Sequence, residues 1–127
     1  MEHLHPDDAL EQLWNIYSAL APDGVYICIT PNRLSGPHDI SRYFDDIATG
    51  FHLKEYTITE LMDIFKKAGF SKVQVFALFK GFLLLLPVFA IRWLEGVLSR
   101  LPYPLGHRIS SWLPVRRLLG VNIVATK

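Results

Sequence analysis

Twice along this chain an amphipathic helical stretch runs through a glycine-containing turn into a β-prone segment, and that repeated order constrains the fold more than any other feature. In the first unit, Leu10, Leu13, Trp14, Tyr17 and Leu20 recur at spacings of three and four, which predicts a helix over 7–20 with one apolar face. Pro6 lies just upstream, and Asp8 with Glu11 has capping-box spacing. "APDG" (21–24) is a turn, and "VYICIT" (25–30) is a short, nearly unbroken apolar run. Such a run predicts a strand covered on both faces, as in a parallel sheet. In the second unit, Thr57 and Glu60 give another capping box. Leu61, Ile64, Phe65 and Ala68 form the buried face, Gly69 is the stop, and "KVQVFALF" (72–79) is the strand. "GVNIVATK" (120–127) predicts a last strand. Helix, strand, loop, helix, strand, apolar segment, strand is an α/β order.

Length and composition narrow the class. One hundred and twenty-seven residues make one ordinary domain. A net charge of +1 gives no electrostatic reason for nucleic-acid binding. A single cysteine, Cys28, excludes an internal disulfide and suits a reducing, cytoplasmic setting, and the polar, acidic N-terminus does not read as a signal peptide. The charge is unevenly spread. Residues 1–80 carry seven Lys/Arg against eleven Asp/Glu, whereas residues 81–127 carry six against Glu95 alone.

"EHLHPDDALEQLWNIYSALAPDGVYICITPN" resembles the region after the fourth strand of class I S-adenosylmethionine-dependent methyltransferases. There an acidic residue and a histidine close the fourth strand, and a helix, a proline–glycine turn and the fifth strand follow. "EYTITELMDIFKKAGFSKVQV" resembles the family's later helix, its turn at Ala68-Gly69-Phe70 and its sixth strand; "VNIVATK" suits the seventh strand, which runs antiparallel to the others. The resemblance covers roughly residues 2–79 and 120–127. It implies an incomplete Rossmann-like fold: the C-terminal half, about three strands, with a hydrophobic helical insertion (81–119) before the last strand. In the family the cofactor lies over a glycine-rich turn after the first strand. This sequence contains no G-x-G. The resemblance therefore implies a fragment of a methyltransferase domain, with Met1 at an internal position of the family's longer pattern. Efficient turnover by this chain alone is not expected.

Methyl transfer needs the acceptor aligned and, for a hydroxyl or carbon acid, a proton removed. The resemblance sets Glu2 and His3 beside the S-adenosylmethionine pocket, and His3 is a candidate base. A loop histidine bonded to backbone is the plain alternative. His3, His5, Asp7 and Asp8 also have the look of metal ligands, but H-x-H is common and capping accounts for Asp8, so no metal is expected. The polar loop between strand 25–30 and the second helix follows a strand's carboxyl end, where open α/β sheets bind ligands. Its His38, Asp39, Arg42, Tyr43, Glu55 and Tyr56 are candidate substrate-binding residues for a small-molecule acceptor, and His52 is a second candidate base. Charges pairing with one another in a solvated loop are the alternative.

"FLLLLPVFAI" is too short to span a bilayer. A helix over 88–101 sets Arg92, Glu95, Gly96, Ser99 and Arg100 on one narrow stripe with apolar residues around the rest. Trp93, Trp112 and five arginines lie between 92 and 117, a composition that suits peripheral contact with a membrane surface through 82–117. An insertion that packs on the sheet or caps the substrate pocket is the alternative. A methyltransferase of a lipid-soluble acceptor would use both. A second function is a non-catalytic remnant that associates with a membrane, a partner or itself through a bare edge at strand 25–30. For an unrelated α/β binding module nothing positive argues.

Overall fold

A computed structural model describes residues 1–79 and 81–127. The chain runs α1 (Pro6–Ala19), β1 (Val25–Thr30), two 3-10 turns (Arg33–Ser35 and Ile40–Tyr43), α2 (Ile58–Lys67), β2 (Lys72–Phe79), β3 (Phe82–Leu86), α3 (Val88–Leu98), α4 (Tyr103–Ser111), α5 (Leu113–Leu119) and β4 (Val121–Thr126). It is a mixed α/β fold with one four-stranded sheet, ordered β1-β4-β2-β3. Every neighbouring pair is antiparallel, so β1 and β2 run the same way on either side of β4.

The register opposes Cys28 to Ile123 and Ile123 to Val75, so these three point to one face. That face carries the core. Ala9 and Leu13 of α1, Leu61, Met62 and Phe65 of α2 and Ile91 of α3 pack on it. The second helix forms as the sequence predicts. The Thr57–Glu60 capping box closes its N-terminus, and Gly69, at φ +104°, lets the chain leave its C-terminus. The first helix departs in its cap: His5, not Asp8, is the N-cap residue, and its Nδ1 accepts the Asp7 amide at 3.4 Å.

Several expectations fail. β1 is not covered on both faces: Cys28 and Thr30 point into the core, but Val25, Ile27 and Ile29 are exposed. An unbroken apolar run does not reveal how many of its faces are covered. The apolar segment after β2 is also not purely helical, and the sheet has four strands rather than about three. Gly81, at φ +86°, suits a tight reversal, and Phe82 pairs with Phe79 to open β3 as a hairpin partner of β2. Pro87 follows β3 and is the N-cap of α3, which stops at Leu98 rather than 101. Of the polar stripe of α3 only Glu95 is buried, at 3% exposure beside Ile91 and Leu98, whereas Ser99 and Arg100 are exposed and Phe89 (78%) and Trp93 (69%) face outward. No helix among the described residues is long and apolar enough to cross a membrane.

Candidate functional site

The site is built on the loop that leaves the carboxyl end of β1. Its base is closed by backbone: Arg33 donates its amide to the Tyr56 carbonyl at 3.1 Å, and Asn32 bridges to Tyr56 as a parallel pair. Asn32 is buried. Its Oδ1 accepts the Leu34 amide, and its Nδ2 donates to Glu95 Oε1 at 2.9 Å and to the Leu119 carbonyl at 2.8 Å. The chain from Asn32 to Tyr56 is thereby pinched at its neck into a closed loop, longer than an ordinary Ω-loop.

Inside the loop, Glu55 is the organising group. Its buried carboxylate takes the His38 amide at 2.7 Å and His52 Nδ1 at 2.7 Å on Oε1, and His38 Nδ1 at 3.1 Å on Oε2. Burial pushes its pKa up, but the bonds from His38 and His52 outweigh that and hold it below the ordinary value. A carboxylate acceptor at each Nδ1 assigns the proton there. The Nε2 of His38 then faces the Ser35 hydroxyl at 3.3 Å. Gly36 makes the packing possible, since a Cβ there would lie 2.0 Å from Glu55 Oε2. Asp39 clamps the loop: Oδ2 accepts the amides of Gly50 and His52 at 3.1 and 3.0 Å, and Oδ1 accepts that of Ser41 at 3.0 Å. The His52 amide is the main reason its carboxyl is held down at about 2.

The N-terminal residues dock against the same loop. The Thr30 hydroxyl, at the end of β1, donates to Glu2 Oε2 at 2.6 Å, and the Glu2 carbonyl accepts the Leu53 amide at 2.8 Å. Partial burial raises the Glu2 pKa, but the Thr30 hydroxyl, the Glu2 amide and the terminal ammonium together bring it down to about 2. His3 Nδ1 bonds the Phe51 carbonyl at 3.1 Å, and its ring meets that of His52 edge-on at 5.0 Å. Glu2, His3, His38, Asp39, His52 and Glu55 therefore form one continuous polar cluster.

The other candidates do not join it. Tyr56 is a core residue at 0% exposure, with no hydrogen-bond partner for its hydroxyl, and it cannot bind a substrate at the surface. Arg42 and Tyr43 are exposed and bond to each other through guanidinium and hydroxyl. They line a separate cleft of about 500 Å³ with His38, Asp46, Tyr103 and His107. His38 lines that cleft while its Nδ1 holds Glu55, and so links the two regions. His5, Asp7 and Asp8 are not drawn to His3, because His5 is committed to the α1 cap. Asn32 and Glu95 were not singled out by sequence reasoning. The former follows a proline in an apparent turn, and the latter lies among other polar residues on a stripe with no local sign of a buried partner.

Comparison with protein-family models, characterised proteins and solved structures returned no match to this chain.

Proposed function

We propose that these residues are the acceptor-side portion of a class I S-adenosylmethionine-dependent methyltransferase acting on a small molecule. The observation that carries the reading is the direction of β4. It lies between β1 and β2 and runs against both, as the resemblance implies for the strand that follows the other two in sequence. The docking of Glu2 and His3 at the carboxyl end of β1, beside the closed loop, supports it further.

The residues present do not by themselves form a cradle for the adenosyl cofactor. The eight glycines include no G-x-G turn through which backbone could approach it, and Glu2 Oε2 already accepts from Thr30. What the chain supplies is acceptor handling. The cleft beside His38 and Arg42 is the seat for the acceptor. His52, with Nδ1 held by Glu55 so that Nε2 is the proton-accepting nitrogen, is suited to take a proton from an acceptor hydroxyl, and His3 is the second such group. A cytoplasmic setting, at or near a membrane surface, fits this reading.

An amide chemical-shift titration of the ¹⁵N-labelled chain with S-adenosylmethionine tests it. Weak, saturable shifts at Glu2, His3 and Thr30 are the expected result, with no detectable turnover. A folded chain that shows no shift at millimolar cofactor sinks the proposal. A second reading, a non-catalytic remnant that attaches to a membrane or partner, draws on the outward apolar side chains of β3 and α3.

A further inference from the structure

Three side chains from two distant stretches of sequence converge at the carboxyl end of β1. Glu2, His3 and His52 each bring one ligand atom to within 4.8 Å of the others. Both imidazoles are anchored at Nδ1 by groups outside the trio: His52 by Glu55 Oε1 at 2.7 Å, His3 by the Phe51 carbonyl at 3.1 Å. A carbonyl or carboxylate oxygen accepts, so each Nδ1 carries the proton and each Nε2 offers a lone pair. Glu2 is anchored too. Oε2 takes the Thr30 hydroxyl at 2.6 Å and the terminal ammonium at 3.2 Å, while Oε1 lies 3.7 Å from His3 Nε2. Three acceptors that converge in this way can share one partner for their lone pairs, and a cation meets that geometry.

We infer that Glu2, His3 and His52 form a three-ligand site for a divalent first-row transition ion, with Glu55 and the Phe51 carbonyl as its outer supports. Two imidazole nitrogens and one carboxylate oxygen suit Zn²⁺, Co²⁺ or Fe²⁺ and disfavour Mg²⁺ and Ca²⁺, which prefer all-oxygen sets. A second acceptor behind each ligating histidine is the arrangement that fixes ring orientation at metal centres. The H-x-H pattern of the sequence is not this site, since His5 belongs to the α1 cap. Three protein ligands leave at least one coordination position for water or an oxygen-bearing ligand. A cation held by these residues would lower the pKa of a hydroxyl bound in the open position, with solvent water taking the proton, since the Nε2 of His52 would then be committed as a ligand. The inference goes beyond the methyl-transfer reading and does not rest on it.

The test is calorimetric titration of Zn²⁺ into the untagged chain without S-adenosylmethionine, with visible absorption of a Co²⁺ complex and circular dichroism in parallel. One equivalent bound in the micromolar range or tighter is expected. His3→Ala and His52→Ala should each weaken binding at least tenfold, and His52→Gln, which keeps a donor for Glu55, should do the same in a more native-like background. Glu55→Gln should weaken it about 10–100-fold as a positioning residue that touches no metal. His5→Ala should leave it unchanged. The terminal amine and His3 are able to chelate on their own. Affinity that survives both His52 variants intact would assign the ion to the chain terminus and overturn the site. Absence of binding by a chain that circular dichroism shows to be folded would overturn it as well.

Discussion

Cys28 shows how a single side chain carries the state of the whole core. Its thiol lies on the helix-covered face of β1, and burial pushes its pKa up to about 11. Because the reactive species is the thiolate, the folded chain should resist iodoacetamide at pH 8 and become reactive when urea unfolds it. The same shift makes stability depend on pH. Between the unfolded value near 9 and the folded value near 11 the native state binds more protons than the unfolded state, so stability is intact below pH 9 and falls as pH rises. The loss is on the order of 2 kcal/mol. Tyr26, whose phenol is also raised by burial, shifts stability in the same direction. Urea midpoints at pH 8 and 10.5 should therefore fall more in the native chain than in Cys28→Ala. Equal falls would show that the thiol is not the titrating group. That Cys28 lies on a strand was legible from the apolar, β-prone run around it. The hub role of Glu55 was not: its two histidines lie three and seventeen positions away, and no local periodicity joins them.

At the scale of elements, the capped and glycine-stopped pieces were legible and the apolar ones were not. Thr57, Glu60 and Gly69 are local signals whose partners lie within a few residues, so α2 and β2 follow from sequence directly. "FLLLLPVFAI" offers no such signal: strand and helix periods cannot be separated in an unbroken run, and pairing with β2 decides for strand. The burial of Glu95 was illegible for a related reason. Nothing local sets it apart from the rest of its stripe, but its carboxyl oxygens accept the Ile58 and Thr59 amides at 2.8 and 2.9 Å, the Thr59 hydroxyl at 2.6 Å and the Asn32 amide group at 2.9 Å. Those donors are the open N-terminus of α2 and the neck of the site loop, both distant in sequence. Truncating Glu95 leaves several buried donors unpaired at once. Glu95→Ala should therefore cost about 3–5 kcal/mol in urea unfolding. Asn32→Ala should cost less. The double variant should be less destabilised than the two separate losses imply, because the two side chains share a bond. Simple additivity would show that Glu95 acts on α2 alone and does not brace the loop.

For the molecule as a whole, the sheet is one-sided. Helices α1, α2 and α3 pack on one face, and on the other Val25, Ile27, Ile29, Leu78, Leu83 and Leu85 are exposed in register. β1 and β3 are both edges. An antiparallel sheet with one wet face normally alternates polar residues onto it; here the central strands do so with Lys72, Gln74, Asn122 and Thr126, but the edge strands β1 and β3 present aliphatic side chains instead. The outward residues of α3 continue the theme on the half of the chain that holds the arginine excess. Large apolar side chains on a half of the chain with an excess of positive charge suit an anionic lipid surface, through burial of the former and Coulomb attraction of the latter. Cosedimentation with anionic vesicles should be strong at low salt and fall as salt rises, because exposed charges are screened over about 8 Å at physiological ionic strength. Neutral vesicles should bind less. Phe89→Glu together with Trp93→Glu, both already solvent-facing, should abolish binding without unfolding the chain. If the protein pellets equally without vesicles, the open face or the β1 edge is pairing with a second copy instead, and the double variant should then leave the pellet unchanged, since neither residue lies in the sheet.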